Sequence, residues 1–165
     1  MEDDTPPADS LLPYDAWMEE SLRHVVVRAV RHAASVGLPG KHHFYITFRT
    51  DYPGAVLPSR LREKYPQEMT IVLQHQFRDL VVDETARTIS VTLSFGGVSA
   101  ALVVPLDSIS AFVDPSIQYG LRFNVQMPEP QPEAEPVISL PEPEAPRPDT
   151  TPQVVSLDAF RKRKD

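Results

Sequence analysis

Cysteine is absent from the 165 residues of this chain. That removes disulfides, thiolate zinc sites and a cysteine nucleophile together, and it fits a reducing compartment. Also missing is any apolar run close to the ~20 residues that cross a bilayer. The opening MEDDTPPADS has neither the basic nor the apolar part of a secretory signal. These absences predict a soluble, cytoplasmic protein. Histidine is scarce and badly placed for metal: His24 and His32 are eight residues apart. His42 and His43 are neighbours in a strand, so they point to opposite faces. No metal site and no cofactor are expected. The chain has no Ser/His/Asp order with a supporting motif, no paired carboxylates in a credible pocket and no phosphate-binding glycine loop at a strand-to-helix turn. Catalytic residues are therefore not expected, and an enzyme is disfavoured.

Acidic charge is present but unevenly placed. The net charge is −7, yet residues 13–124 carry eleven acids and eleven bases. Residues 1–12 hold four acids and no base, residues 125–152 hold six acids against Arg147, and the last thirteen residues hold four bases and two acids. The acidity belongs to the tails, and the neutral central part lacks the basic footprint of a nucleic-acid binder.

The central part reads as one helix followed by short strands. A helix starts near Pro13, carries acids early and arginines late, and stops at Gly37 and Pro39. Its apolar positions form a wide arc that includes Trp17, Leu22, Val25, Val26, Ala29 and Val30. An arc that wide fits a deeply buried core helix, or one that covers a sheet and also meets its copy in a second subunit. Lys41 to Arg49 is a strand by its β-branched and aromatic content. The stretch 50–68 is broken by Pro53, Gly54, Pro58 and Pro66 and leaves room for a short helix, Ser59 to Lys64. Met69 to His75 and Gln76 to Val82 follow as strands, then a turn at 83–86. Leu106 to Val113 is a strand or a single helical turn, and Tyr119 to Val125 closes the domain as an edge strand.

Arg87 to Pro105 organises this part. Ile89, Val91, Leu93 and Phe95 alternate with Ser90, Thr92 and Ser94, and Val98 to Val104 is almost wholly apolar. Between them Gly96-Gly97 is a two-residue hairpin signal, since glycine takes positive φ at little cost. Such a corner is either a plain hairpin or a place where another backbone comes close. With five or six short strands and one helix, closure into a small barrel would remove the sheet edges.

Four segments result: an acidic disordered N-terminus (1–12), the helix-plus-β domain (13–125), a disordered Pro/Glu-rich linker (126–152) and a C-terminal motif (153–165). Nine of the eighteen prolines fall between Pro128 and Pro152. A segment of that composition spans ~30 Å as a coil and roughly 80 Å if fully polyproline-like. The end of the chain combines an apolar cluster (Val154, Val155, Leu157, Phe160) with Ser156 and the bases Arg161 and Lys162. At the end of a tether this resembles a linear docking motif. Val137-Ile138-Ser139-Leu140 is an imperfect echo without the aromatic or the bases.

These elements in this order resemble the SspB family of adaptors, in its alphaproteobacterial form. The resemblance rests on Pro13-Tyr14, Gly37-Leu38-Pro39-Gly40 running into His42-His43-Phe44-Tyr45-Ile46-Thr47-Phe48, and the string Met69 to His75. It rests equally on Ser94-Phe95-Gly96-Gly97-Val98, Val104-Pro105-Leu106 and the tail from Val154 to Lys162. It covers roughly residues 13–124 and 153–163. It implies a mainly β fold with one N-terminal helix, a small Sm-like β-barrel, and a disordered C-terminal tail. It further implies helix-mediated homodimers, a groove for the ssrA degradation tag, and a tail that docks on the N-terminal domain of ClpX in the ClpXP protease. Carried onto this chain, the tag groove comprises Leu73, Gln74, His75, Gln76, Phe95, Gly96, Gly97, Val98, Ser99 and Ala100. The docking motif comprises Val154, Val155, Ser156, Leu157, Phe160, Arg161 and Lys162, and the dimer interface Trp17, Leu22, Val25, Val26, Ala29 and Val30. An Sm-like RNA-binding protein, or a dimeric peptide-binding module that recruits another machine, are the alternatives.

Overall fold

The structure, a computed structural model, describes residues 11–129. It opens with helix α1 (Tyr14–Val36), which ends where Gly37, at φ +81°, donates its N–H to Ala33 O. Strand β1 (Phe44–Arg49), the short helix α2 (Ser59–Lys64) and strands β2 (Glu68–Leu73), β3 (Arg78–Asp83), β4 (Thr88–Phe95), β5 (Val98–Pro105), β6 (Ile109–Asp114) and β7 (Tyr119–Arg122) follow. The segment read as strand or helical turn is both: a 3₁₀ turn at Leu106–Ser108, then β6.

Period-two alternation explains which faces meet. Phe44, Ile46 and Phe48 of β1, Met69, Ile71 and Leu73 of β2, and Ile89, Val91 and Leu93 of β4 are all buried, while the residues between them face outward. With Leu102, Val104, Ile109 and Phe112 they form one core, closed by Val26, Val27, Val30 and Ala33 of α1. Gly96 and Gly97, at φ +60° and +81°, make the two-residue turn that pairs Phe95 with Val98. Positive φ at both central positions is what a type I′ hairpin needs, so the glycine pair is required by the backbone.

The expected closed barrel is not formed. The strands lie in two sheets, a four-stranded one in the order β2-β1-β6-β7 and a three-stranded one in the order β3-β4-β5. Closure needs continuous pairing around the circle, and it fails on both sides. On one side the chain leaves β5 at Pro105, which has no N–H to offer, and crosses to β6 through the 3₁₀ turn. Among the described residues the outer edge of β5 is bridged at Val56, through reciprocal 2.9 Å bonds with Val103. On the other side β2 stops at Leu73 instead of continuing to His75, and residues 74–77 turn away. β3 then starts at Arg78 with an irregular register and Asp79 at φ +53°, so β2 and β3 are consecutive but unpaired. The seam this leaves between the two sheets holds the site described next.

Arginines tie α1 to this frame. Arg23 is buried in the helix, with its guanidinium 4.5 Å from the centre of the Phe123 ring. It donates to Leu106 O (2.5 Å), Ile109 O (3.1 Å) and Glu19 Oε1 (2.9 Å). Arg87 bridges Glu20 of α1 and Asp107. Its hydrogen bonds hold both carboxyls below their usual range.

Candidate functional site

An open groove of about 700 Å³ follows the seam between the sheets. One wall is β2 and the turn after it: Met69, Thr70 and Val72, then Gln74, His75 and Gln76. The other is the end of β4, Leu93 to Phe95, with Tyr65, the residue after α2, at the border. Two backbone edges face it. β2 pairs with β1 on one side only, and its outer edge has no strand partner among the described residues. β4 pairs with β3 no further than Thr92, so Leu93, Ser94 and Phe95 have β5 on one side and, among the described residues, no strand on the other. Unpaired strand edges are templates for an added extended segment.

Of the residues expected at the tag groove, Gln74, His75, Gln76 and Phe95 line it. Leu73 does not: it is fully buried in the core at 0% exposure and offers no surface to a ligand. Gly96, Gly97, Val98 and Ser99 form the exposed hairpin tip beyond Phe95, and Ala100 is buried. Met69, Thr70, Val72, Leu93, Ser94 and Tyr65 were missed. The signal for Thr70, Val72 and Ser94 was available, since outward parity on β2 and β4 selects them. Tyr65 is placed by the fold alone, through Leu61 O, which accepts its N–H at 2.8 Å.

Among the described residues no acid lines the groove, and three cations contact residues in its lining or next to it. Arg60 of α2 donates to Phe95 O (3.4 Å) and Val98 O (3.2 Å), straddling the closing pair of the hairpin. The Lys64 ammonium lies 5.3 Å from the centre of the Tyr65 ring, and Arg78 donates to Ser99 Oγ at 3.0 Å.

The Stringent starvation protein B family model matches residues 16–162. The chain belongs to the SspB family. It is thus an SspB-type adaptor, a member of a non-catalytic family. A comparison with curated proteins gives no match. Within the adaptor, no helix among the described residues is long and apolar enough to cross a membrane.

A second surface of this SspB-family chain concerns α1. Of the six residues expected at a dimer interface, Val26 and Val30 are 1% and 0% exposed and belong to the subunit's own core. Leu22 and Ala29 are half-buried, while Trp17 and Val25 are exposed at 54% and 38%. Tyr14 packs edge-on against Trp17, and Met18 is exposed beside them. Farther along the helix a depression of about 280 Å³ is bordered by Val25, Ala29, Leu38, Phe44, Ile117 and Tyr119.

At the rim of that depression the fold assembles His42, Asp114 and Ser116, which the sequence does not place together. His42 Nδ1 lies 2.5 Å from Asp114 Oδ2, and Ser116 Oγ donates to Asp114 Oδ1 at 2.5 Å. Burial raises the Asp114 carboxyl, but hydrogen bonds from Ser116 and His42 outweigh it and hold the group below its ordinary value. The cluster is not a nucleophile relay. Ser116 Oγ approaches His42 at Nδ1, 3.3 Å away, the same nitrogen the carboxylate occupies, whereas a general base takes the serine proton on the other nitrogen. The trio instead fixes the 3₁₀ turn Pro115–Ile117. The expected docking residues 154–162 lie outside the described residues.

Proposed function

We propose that the seam groove binds the ssrA tag and that the adaptor tethers tagged polypeptides to ClpXP, as an alphaproteobacterial-type member of its family working in the cytoplasm. The observation that carries this reading is that two strand edges without a strand partner among the described residues, β2 and Ser94–Phe95, line one groove that also presents Gln74, His75 and Gln76. An extended peptide laid there exchanges main-chain hydrogen bonds with an edge and sends alternate side chains to the two walls. Val72 and Phe95 supply apolar contact, and the amides and imidazole supply polar contact. The Gly96-Gly97 turn adds no side chain at the hairpin tip.

The rest of the chain completes a tether. Residues 126–152 link the groove domain to the motif at 153–165, whose Val154, Val155, Leu157 and Phe160 enter an apolar site on the ClpX N-terminal domain, with Arg161 and Lys162 meeting acidic or carbonyl groups. Two copies associate through the exposed part of α1, Trp17 and Val25 with Leu22 and Ala29 beside them, so a dimer presents two tails. Val26 and Val30 are not part of that surface.

The test is at the groove. Ser94 is exposed on β4, so Ser94→Trp fills the groove without entering the core. It is expected to weaken a labelled tag peptide at least tenfold in fluorescence anisotropy, with the thermal melt of the wild type. Gln74→Ala is expected to cost a few-fold, as loss of about one net hydrogen bond does. Unchanged affinity in Ser94→Trp would place the peptide elsewhere.

A further inference from the structure

The connection from β1 to β2, residues 50–67, reaches both walls of the groove. Its Leu57 and Leu61 sink into the core. Val56 pairs with Val103 of β5, and Arg60 donates to Phe95 O and Val98 O at the hairpin. At its far end the connection brings Tyr65 to the groove border and delivers the chain to β2. One residue ties the two ends of this connection together. Thr50 is 0% exposed and spends each of its polar groups inside the connection. Its N–H donates to Gln67 O at 2.9 Å, its hydroxyl donates to Tyr65 O at 2.6 Å, and its carbonyl accepts from Arg62 Nη1 at 2.8 Å.

The backbone bond to Gln67 already closes the base of the connection, next to the Arg49–Glu68 pair. The hydroxyl bond is additional, and it goes to the residue of the connection that lines the groove. Tyr65 is thereby held at every backbone group. Its N–H donates to Leu61 O at 2.8 Å, its carbonyl accepts from Thr50, and Pro66 after it keeps it out of the helical region, at φ −127° and ψ 74°. A half-buried aromatic fixed this way meets a ligand already ordered. We infer that Thr50 is a positioning residue for peptide binding: it touches no ligand, and it presets the Tyr65 ring against which the bound segment packs. This rests on the reading of the seam as a peptide groove and adds a residue outside the groove that governs its affinity. Without the hydroxyl, Tyr65 must be ordered anew at each binding event, which costs about fivefold in affinity.

The experiment measures labelled tag-peptide affinity and thermal melting of the full-length protein side by side. Thr50→Val removes the hydroxyl at nearly constant shape, and well below its melting transition it is expected to bind about fivefold more weakly. Thr50→Ser keeps the hydroxyl and should stay within about twofold of the wild type. Tyr65→Ala is expected to cost about tenfold. In that background Thr50→Val should add nothing, since its effect travels through the ring. Ser108→Ala is the structural comparison. Ser108 is equally buried and its hydroxyl donates to Pro105 O at 2.6 Å, but it sits at the crossing from β5 to β6, on the other side from the seam. Its loss should lower the melt and leave tag affinity within about twofold. A Thr50→Val protein that melts lower yet binds like the wild type would reduce Thr50 to a loop-closing residue and overturn the inference, with the peptide groove still standing. An equal loss in the Tyr65→Ala background would overturn it too. Thr50→Ala carries the same expectations if the valine variant does not fold, and unchanged affinity in Tyr65→Ala overturns the inference by itself. If the wild type does not bind the tag peptide, the groove reading falls together with the inference.

Discussion

Removing residues 153–165 is expected to leave tag-peptide affinity within twofold of the full chain and to abolish the adaptor's stimulation of ClpXP. The large effect follows from how a tether works. A tag held at micromolar affinity contributes about 8 kcal/mol, enough to capture a substrate and still release it. The second contact, made through a flexible linker, acts at roughly millimolar effective concentration. Without the docking motif that concentration is lost and the captured substrate is no nearer the protease than a free one. The groove is built from β2, β4 and the residue after α2, all within the described domain, so binding should persist. The readouts are anisotropy with the labelled tag and the rate of ClpXP degradation of a tagged substrate at sub-saturating concentration. Loss of tag binding in the truncated chain would contradict the separation of the two functions, and undiminished delivery would remove the tail from the mechanism.

Arg23→Met is expected to destabilise the domain by roughly 2–4 kcal/mol, because two carbonyls are left buried without a donor at roughly 1–3 kcal/mol each. Methionine retains much of the volume over Phe123, so the loss reports the hydrogen bonds more than a cavity. The bonds to Leu106 O and Ile109 O join α1 to the crossing from β5 to β6. Urea unfolding should show a lowered midpoint with little change in slope. A loss of stability under about 0.5 kcal/mol would mean that the packing of Val26, Val27 and Val30 alone holds the helix in place.

Much of this fold was legible because strand alternation is a local signal. The parity of Ile89, Val91 and Leu93 set the buried face of β4, and Gly96-Gly97 fixed the hairpin. The same parity would have separated Leu73 from Thr70 and Val72, and reading it along β2 would have moved Leu73 from the groove to the core. What could not be read is long-range. Whether seven strands close or divide depends on edges meeting across the chain, and here residues 74–77 and the irregular start of β3 keep one seam open. Arg23 could not be picked out in the sequence, because its carbonyl partners are 83 and 86 residues away. The apolar arc of α1 was visible, but its division between the subunit's own core and an outer surface was not, since both faces are apolar. His42 and Asp114 are 72 residues apart and met only in the fold.

The central claim is that the seam between β2 and β4 is a receptor for the ssrA tag. The most direct test is fluorescence anisotropy of a labelled tag peptide against the purified full-length chain, with a scrambled peptide of the same composition as control. The account predicts saturable binding in the low micromolar range or tighter that the scramble lacks. No binding up to hundreds of micromolar, or equal binding of the scramble, would contradict it and give the groove a different ligand.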